Sequence, residues 1–216
     1  MPNGKDDLLS KNETIRTIHA RRSIRVFTEQ EVPEQDVDAI LKAANAAPSA
    51  HNQQSWRFII IRGEKKEELV RLVASSAGAF PRPASVLLRM AARTIASAPV
   101  VIAVANTGEL IRHGSGLFRI QKTVSLDFFR TMEIQSSAAA VQNLLLAATS
   151  LGLATVWLGI LFLIKDEVLA LLGEPQGEFM AVVPVGHAAR QSMGPNKRPL
   201  DMLVKTAECI PPRPPS

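Results

Sequence analysis

Two groups of side chains in this 216-residue sequence have the types and spacing for chemistry on an anion. Arg21, Arg22 and Arg25 stand near the start with the Ser23 hydroxyl among them, and Lys197 and Arg198 stand near the end. A phosphate monoester carries about two charges and three acceptor oxygens, which converging guanidinium groups meet in bidentate pairs. Either cluster alone reads better as a solvated patch. A third stretch, Ala47-Pro48-Ser49-Ala50-His51-Asn52-Gln53-Gln54-Ser55-Trp56, is dense in donors and acceptors and runs into an apolar segment. Polar loops seated on rigid strands are where binding groups concentrate, although Pro, Ser and Asn are also ordinary turn formers.

Other chemistries fit less well. His19, His51, His113 and His187 lack i,i+4 partners and Cys209 stands alone, so no zinc-type ligand set emerges. There is no Gly-x-Ser-x-Gly elbow, no P-loop, and no Gly-x-Gly-x-x-Gly after a strand. An anion-binding pole, an amide-rich loop and an uncharged interior together suit a bound organic cofactor better than a hydrolytic site. With such a cofactor carrying the reaction, no catalytic side-chain acid or base is required.

Composition narrows the class. An apolar share of 46% and a charged share of 21% are those of a globular domain, and the length allows one substantial core. The net charge of +5 favours an anionic ligand, but no basic block or aromatic surface points to nucleic acid. One cysteine excludes an internal disulfide and fits a reducing compartment, and Met1 to Ser10 lack the pattern of a secretory signal. A cytoplasmic protein is expected.

The elements that must position these groups follow from periodicity and breakers. Residues 1–12 read as a mobile terminus, 13–207 as one domain, and 208–216 as a proline-rich tail. Short helices are expected over Glu13–Ala20 and from Pro33 to Ala47, the second with Val37, Ile40, Leu41 and Ala44 as its buried stripe. Trp56–Ile61, Pro99–Ala105, Leu153–Leu158 and Phe179–Val185 read as buried strands. Helices are expected after Gly63, over Val86–Ala96 and over Asp166–Leu172, with a loop from Thr107 to Ser115. Ser136 to Ile164 carry no charge, and Leu144 to Ile164 within them are long enough to cross a membrane. Gly152 and Gly159 interrupt that span, so the preferred reading is a buried helix, Ser136–Ser150, followed by a strand. Leu200–Ala207 reads as a further strand or an extended arm.

Four segments, in order, resemble the FMN-dependent nitroreductase family: Arg21 to Phe27, Ala47 to Trp56, Gln142 to Ala148 with Gly152-Leu153, and Pro184-Val185-Gly186-His187. The resemblance runs from about Ile15 to Val204. It implies an α+β three-layer sandwich with a mixed central sheet between helices, in an intertwined homodimer with FMN at the interface. By that likeness Arg21, Ser23 and Arg25 hold the FMN phosphate and ring edge with Arg198 and its neighbour Lys197. Arg22 lies between them at a variable position. Pro48, Ser49 and Ala50 pack on the flavin from the partner subunit, Asn52 shapes their loop, and the backbone at Leu158 and Gly159 faces the ring. Ser55 replaces the usual proline before the tryptophan, and Ser136-Ser137 stand where an aspartate is common, read here as an altered helix cap. Gly78 to Glu133, where the family places its substrate channel, matches poorly and leaves the substrate open.

The implied activity is FMN-dependent oxidoreduction, with ping-pong transfer from NAD(P)H to a nitroaromatic, quinone or other small organic acceptor. Alternatives are an FMN oxidase or dehydrogenase that desaturates a peptide-like or small organic substrate, and a flavin-binding module without turnover. No nucleic-acid or membrane partner is expected.

Overall fold

Strand β2 (Val100–Asn106) divides the core of the protein, seen in a computed structural model that describes residues 12–117, 121–190 and 192–206. All seven of its residues are buried, and they alternate between two hydrophobic clusters. Val101, Ala103 and Ala105 face one, and Val100, Ile102 and Val104 face the other, as the period of two in a strand requires. An uncharged β-branched run here marks a strand covered on both faces. The terminal expectations for 1–11 and 208–216, Cys209 among them, lie outside the described residues.

One covering layer is α3 (Gly63–Ser76) with α4 (Ala84–Ser97), which bring Leu69, Val73, Leu88 and Ile95 to the first cluster. The other is α2 (Glu34–Asn45) with α6 (Lys122–Ser150), which bring Val37, Ile40, Ala140 and Leu144 to the second. The result is the expected three-layer α+β sandwich. The remaining elements are α1 (Glu13–Ala20), β1 (Trp56–Ile61), α5 (Glu109–Leu117), β3 (Ala154–Thr155), α7 (Lys165–Leu171) and β4 (Glu178–Gly186).

Strand order is β1-β2-β4-β3, and all three ladders are antiparallel. The parallel component of the expected mixed sheet is confined to one bridge, Ser23 to Thr155. A bulge shifts the β2–β4 register, so Val104 faces Ala181 while Ala105 faces Phe179. The skipped residue, Met180, turns its carbonyl to the Trp157 indole N–H at 3.2 Å.

Several expectations are corrected. The segment expected to loop from Thr107 to Ser115 is mostly helix α5, because Gly114 is there for close packing and not for a turn. A Cβ at Gly114 would run into the Phe129 ring of α6. Helix α6 starts at Lys122 and not at Ser136, since Ser125, Phe129 and Glu133 extend the buried stripe at helical spacing. Ser136 is therefore no cap, and its hydroxyl donates to the Met132 carbonyl at 2.7 Å. Strand β1 is an edge strand with Ile60 45% exposed, not a fully buried one. Leu153–Leu158 pairs as a strand only over β3, after which Leu158 N–H reaches the Val182 carbonyl at 2.9 Å. Leu200–Met202 forms a single 3-10 turn. Gly152, at φ +75, ends α6 as expected, and no described helix is long and apolar enough to cross a membrane.

Candidate functional site

The basic segment after α1 is held extended along the β3 edge. Ile24 N–H donates to the Thr155 carbonyl at 2.9 Å, Thr28 N–H to His187 at 2.9 Å, and Ala189 N–H to Val26 at 3.1 Å. Extended backbone sends successive side chains to opposite sides. Ile24 enters the core on one side, while Ser23 and Arg25 on the other remain exposed.

Arg22 falls on the Ile24 side, and its guanidinium is committed. Nε donates to the Met193 carbonyl at 2.9 Å, and one Nη donates to His19 and Arg21 carbonyls at 2.5 and 2.9 Å. In this chain Arg22 therefore fastens the C-terminal basic loop beside the Arg21–Arg25 segment. Lys197 and Arg198 follow on that loop, both exposed. Arg21, Arg25, Lys197 and Arg198 have no carboxylate partner among the described residues, whereas Arg57, Arg62, Arg71 and Arg130 are all in ion pairs.

Arg25 lines a cavity of about 140 Å³ together with Leu158 and Gly159. Gly159 opens a 3-10 turn, where the leading N–H groups have no acceptor within the turn, and open space lies where its side chain would be. The opposite wall is Leu87, Met90 and Thr94 of α4. Among the described residues Arg25 is the single titratable side chain on this cavity, so the described wall carries no acid or base. The sequence reading missed the α4 wall. Its signal is a second apolar row, Val86, Leu87 and Met90, each 39–45% exposed, beside the buried row of Leu88, Ala91 and Ile95.

The Pro48–Gln54 loop is built elsewhere. Ala50 N–H donates to Ser136 Oγ at 3.1 Å, Gln54 N–H to Ser49 Oγ at 3.1 Å, and Gln54 Nε2 to Asn52 Oδ1 at 3.0 Å. At its base the Trp56 indole donates to Asn45 Oδ1 at 2.9 Å. His51, Asn52 and Gln54 are held at φ of 54, 51 and 51°, a left-handed conformation that costs a non-glycine residue about 1–2 kcal/mol. Side-chain bonds over-determine this shape, so the loop is fixed before any ligand arrives.

Within one chain the loop cannot reach the basic pole. The loop leads into edge strand β1, while Ser23 lies along the opposite edge at β3, and Leu158, next to Gly159, bonds to Val182 of β4. Three inter-strand steps of about 4.8 Å separate those edges. Along the strands, the loop sits at the Asn106–Glu178 end of β2 and β4, and Ser23 sits level with Val185 at the other end. The structure thus joins Arg25 with Leu158 and Gly159, ties the Lys197–Arg198 loop beside Arg22, and leaves Pro48, Ser49, Ala50 and Asn52 apart.

Among the described residues no His, Cys, Asp and Glu group could hold a metal ion. The sequence profile described as Nitroreductase family matches residues 18–187. A Methanothermobacter thermautotrophicus protein provisionally named NADH dehydrogenase/NAD(P)H nitroreductase is 31% identical, over 85% of this chain and 82% of its own. A Thermus thermophilus protein named NADH dehydrogenase is also 31% identical, over 85% and 91%. The solved structure of a Bacteroides fragilis nitroreductase with bound FMN is 26% identical with a TM-score of 0.69, covering 92% of this chain and all of that one (100%).

Proposed function

The chain belongs to the nitroreductase family, and we propose that it is an FMN-dependent oxidoreductase moving electrons from NAD(P)H to a small organic acceptor. The observation that carries this reading is the Arg25–Gly159 cavity, whose described lining holds the Arg25 cation, the first residue of a 3-10 turn, and no acid or base. The residues fit FMN. Arg21, Ser23 and Arg25, with Lys197 and Arg198, would hold its phosphate and ring edge, and the Gly159 N–H would donate to its ring. When bound, FMN supplies reversible hydride acceptance.

The chain's own residues do the rest. Arg22 keeps the Lys197–Arg198 loop close enough for both clusters to act on one anion. Leu87 and Met90 present an apolar wall that keeps water from the reacting face. A nitroaromatic or quinone acceptor suits such a wall, and departure of the oxidised nicotinamide before the acceptor enters gives a ping-pong order. The Pro48–Asn52 loop, too distant in its own chain, would cover the ring of a second copy. A homodimer completes two sites at once.

Absorbance of the purified protein tests this directly. Flavin bands are expected, the group released by heat is FMN and not FAD, and NADH or NADPH bleaches the bands anaerobically. A colourless protein, or one released with FAD, would count against the cofactor. Bands that neither nucleotide bleaches would count against the electron donor.

A further inference from the structure

The Pro48–Asn52 loop, which would cover the ring of a second copy, carries one titratable side chain, His51. His51 is exposed, in the middle of the 3-10 turn Ala50–Asn52, with its backbone at φ 54 and ψ 22°. This is the left-handed region, which glycine enters freely and histidine enters at a cost. The other two left-handed residues, Asn52 and Gln54, bond to one another through Gln54 Nε2 and Asn52 Oδ1 at 3.0 Å. The His51 imidazole makes no hydrogen bond or ion pair among the described residues. The loop therefore holds a histidine in a costly conformation while its ring does nothing for the loop's own shape. Strain kept where packing does not need it marks functional positions.

The Arg25–Gly159 cavity lacks what that ring supplies. Its described lining holds no carboxyl, imidazole or ammonium group, and a guanidinium does not give up its proton in a protein. Reduction of an organic acceptor consumes a proton as well as electrons. A quinone that has taken a hydride on one oxygen carries a negative charge on the other. It leaves as a hydroquinone once that second oxygen gains H⁺. Histidine is the side chain that gives and regains a proton between about pH 5 and pH 8.

We propose that His51 of one copy is the proton donor to the acceptor reduced on the other. The imidazolium N–H gives its proton to the oxyanion of the reduced quinone, and the new O–H bond completes the hydroquinone. The neutral imidazole then regains a proton from water. A nitro group draws on the same donor, since one hydride and one proton convert it to a nitroso group and water. This role rests on the flavin reading and on the paired copies.

The FMN-loaded wild type is compared with His51→Asn, because asparagine tolerates left-handed backbone and is no acid. Each is reduced with NADH and reoxidised by 1,4-naphthoquinone or by ferricyanide, which takes an electron and no proton. The ratio of naphthoquinone to ferricyanide rates should fall by about a hundredfold in the variant. A second readout needs neither turnover nor a variant. Diethyl pyrocarbonate modifies exposed imidazoles, and 1-naphthol presents the product's rings and hydroxyl. Saturating 1-naphthol should slow modification of His51 several-fold in the loaded wild type, read by peptide mass spectrometry. The proposal is overturned by an unchanged rate ratio, or by modification of His51 that 1-naphthol does not slow. A protein that holds no FMN would overturn the flavin reading, and this role with it. The modification experiment decides where the variant does not fold.

Discussion

Arg22 Nε donates to the Met193 carbonyl at 2.9 Å, joining residues 171 positions apart in the sequence. The contact ties the loop that leads to Lys197 and Arg198 to the first basic cluster. Among the described residues the Lys197–Arg198 loop is exposed and its other bonds are short-range, such as Gly194 N–H to Ser192 Oγ at 3.3 Å. The arginine in the middle of the cluster is thus a structural tie, whereas its neighbours Arg21 and Arg25 have no carboxylate partner among the described residues.

Gly194 is the hinge of that tie. It sits at φ +70, and a Cβ there would lie 2.9 Å from Arg22 Cδ. Gly194→Ala should therefore strain the turn by about 1 kcal/mol and displace the arginine. Tryptic cleavage at Arg190 or Lys197 is expected to accelerate relative to wild type. Equal cleavage rates would show that the loop is held by other means.

Arg21→Ala and Arg198→Ala should each weaken cofactor binding and leave the fold intact. A guanidinium contact to phosphate contributes about 1.5–3 kcal/mol, on the order of ten- to a hundredfold in affinity. Flavin content after gel filtration and circular dichroism read the two effects separately. Both variants retaining a full flavin complement would remove these residues from the site.

Met202, Leu203 and Val204 are 72, 58 and 66% exposed, and α1 carries Ile15 and Ile18 with no residue buried. Apolar surface left open on both segments matches a second copy lying over them. Truncation after Leu200 is expected to lower the mass seen by light scattering toward that of one chain, with loss of flavin. A truncated protein that stays a flavin-loaded dimer of unchanged stability would make the arm dispensable.

The raised pKa of Glu133 sets a sign for pH dependence. Below the ordinary carboxylate value of about 4.3, both folded and unfolded states are protonated and the group is neutral to stability. As pH rises, the unfolded chain ionises first, so stability falls until the folded carboxyl ionises as well. Glu133→Gln should flatten that decline in urea melts run from about pH 4 to about pH 8. Parallel wild-type and variant curves would mean that the buried carboxyl is not taking up the proton.

Periodicity and composition alone were enough for the layers and for naming candidate site residues. The uncharged run of β2 could only be a strand covered on both faces, and the stripe of α2 had to face a core. Arg21, Ser23 and Arg25, and the polar loop before Trp56, were legible because donors at alternate or adjacent positions need no partner to be noticed. Four elements were not legible, because each depends on a neighbour distant in sequence. Gly114 reads as a breaker until Phe129 packs on it. Ser136 reads as a cap until Ala50 N–H is found on its hydroxyl. Arg22 looks like its neighbours until Met193 is placed beside it. Glu133 is one acidic residue in a helix until Leu110 of α5 donates to it. Local periodicity records which side of an element is apolar, but only the tertiary structure decides which polar atoms meet, because hydrogen bonds join whatever the packing of the layers brings within about 3 Å.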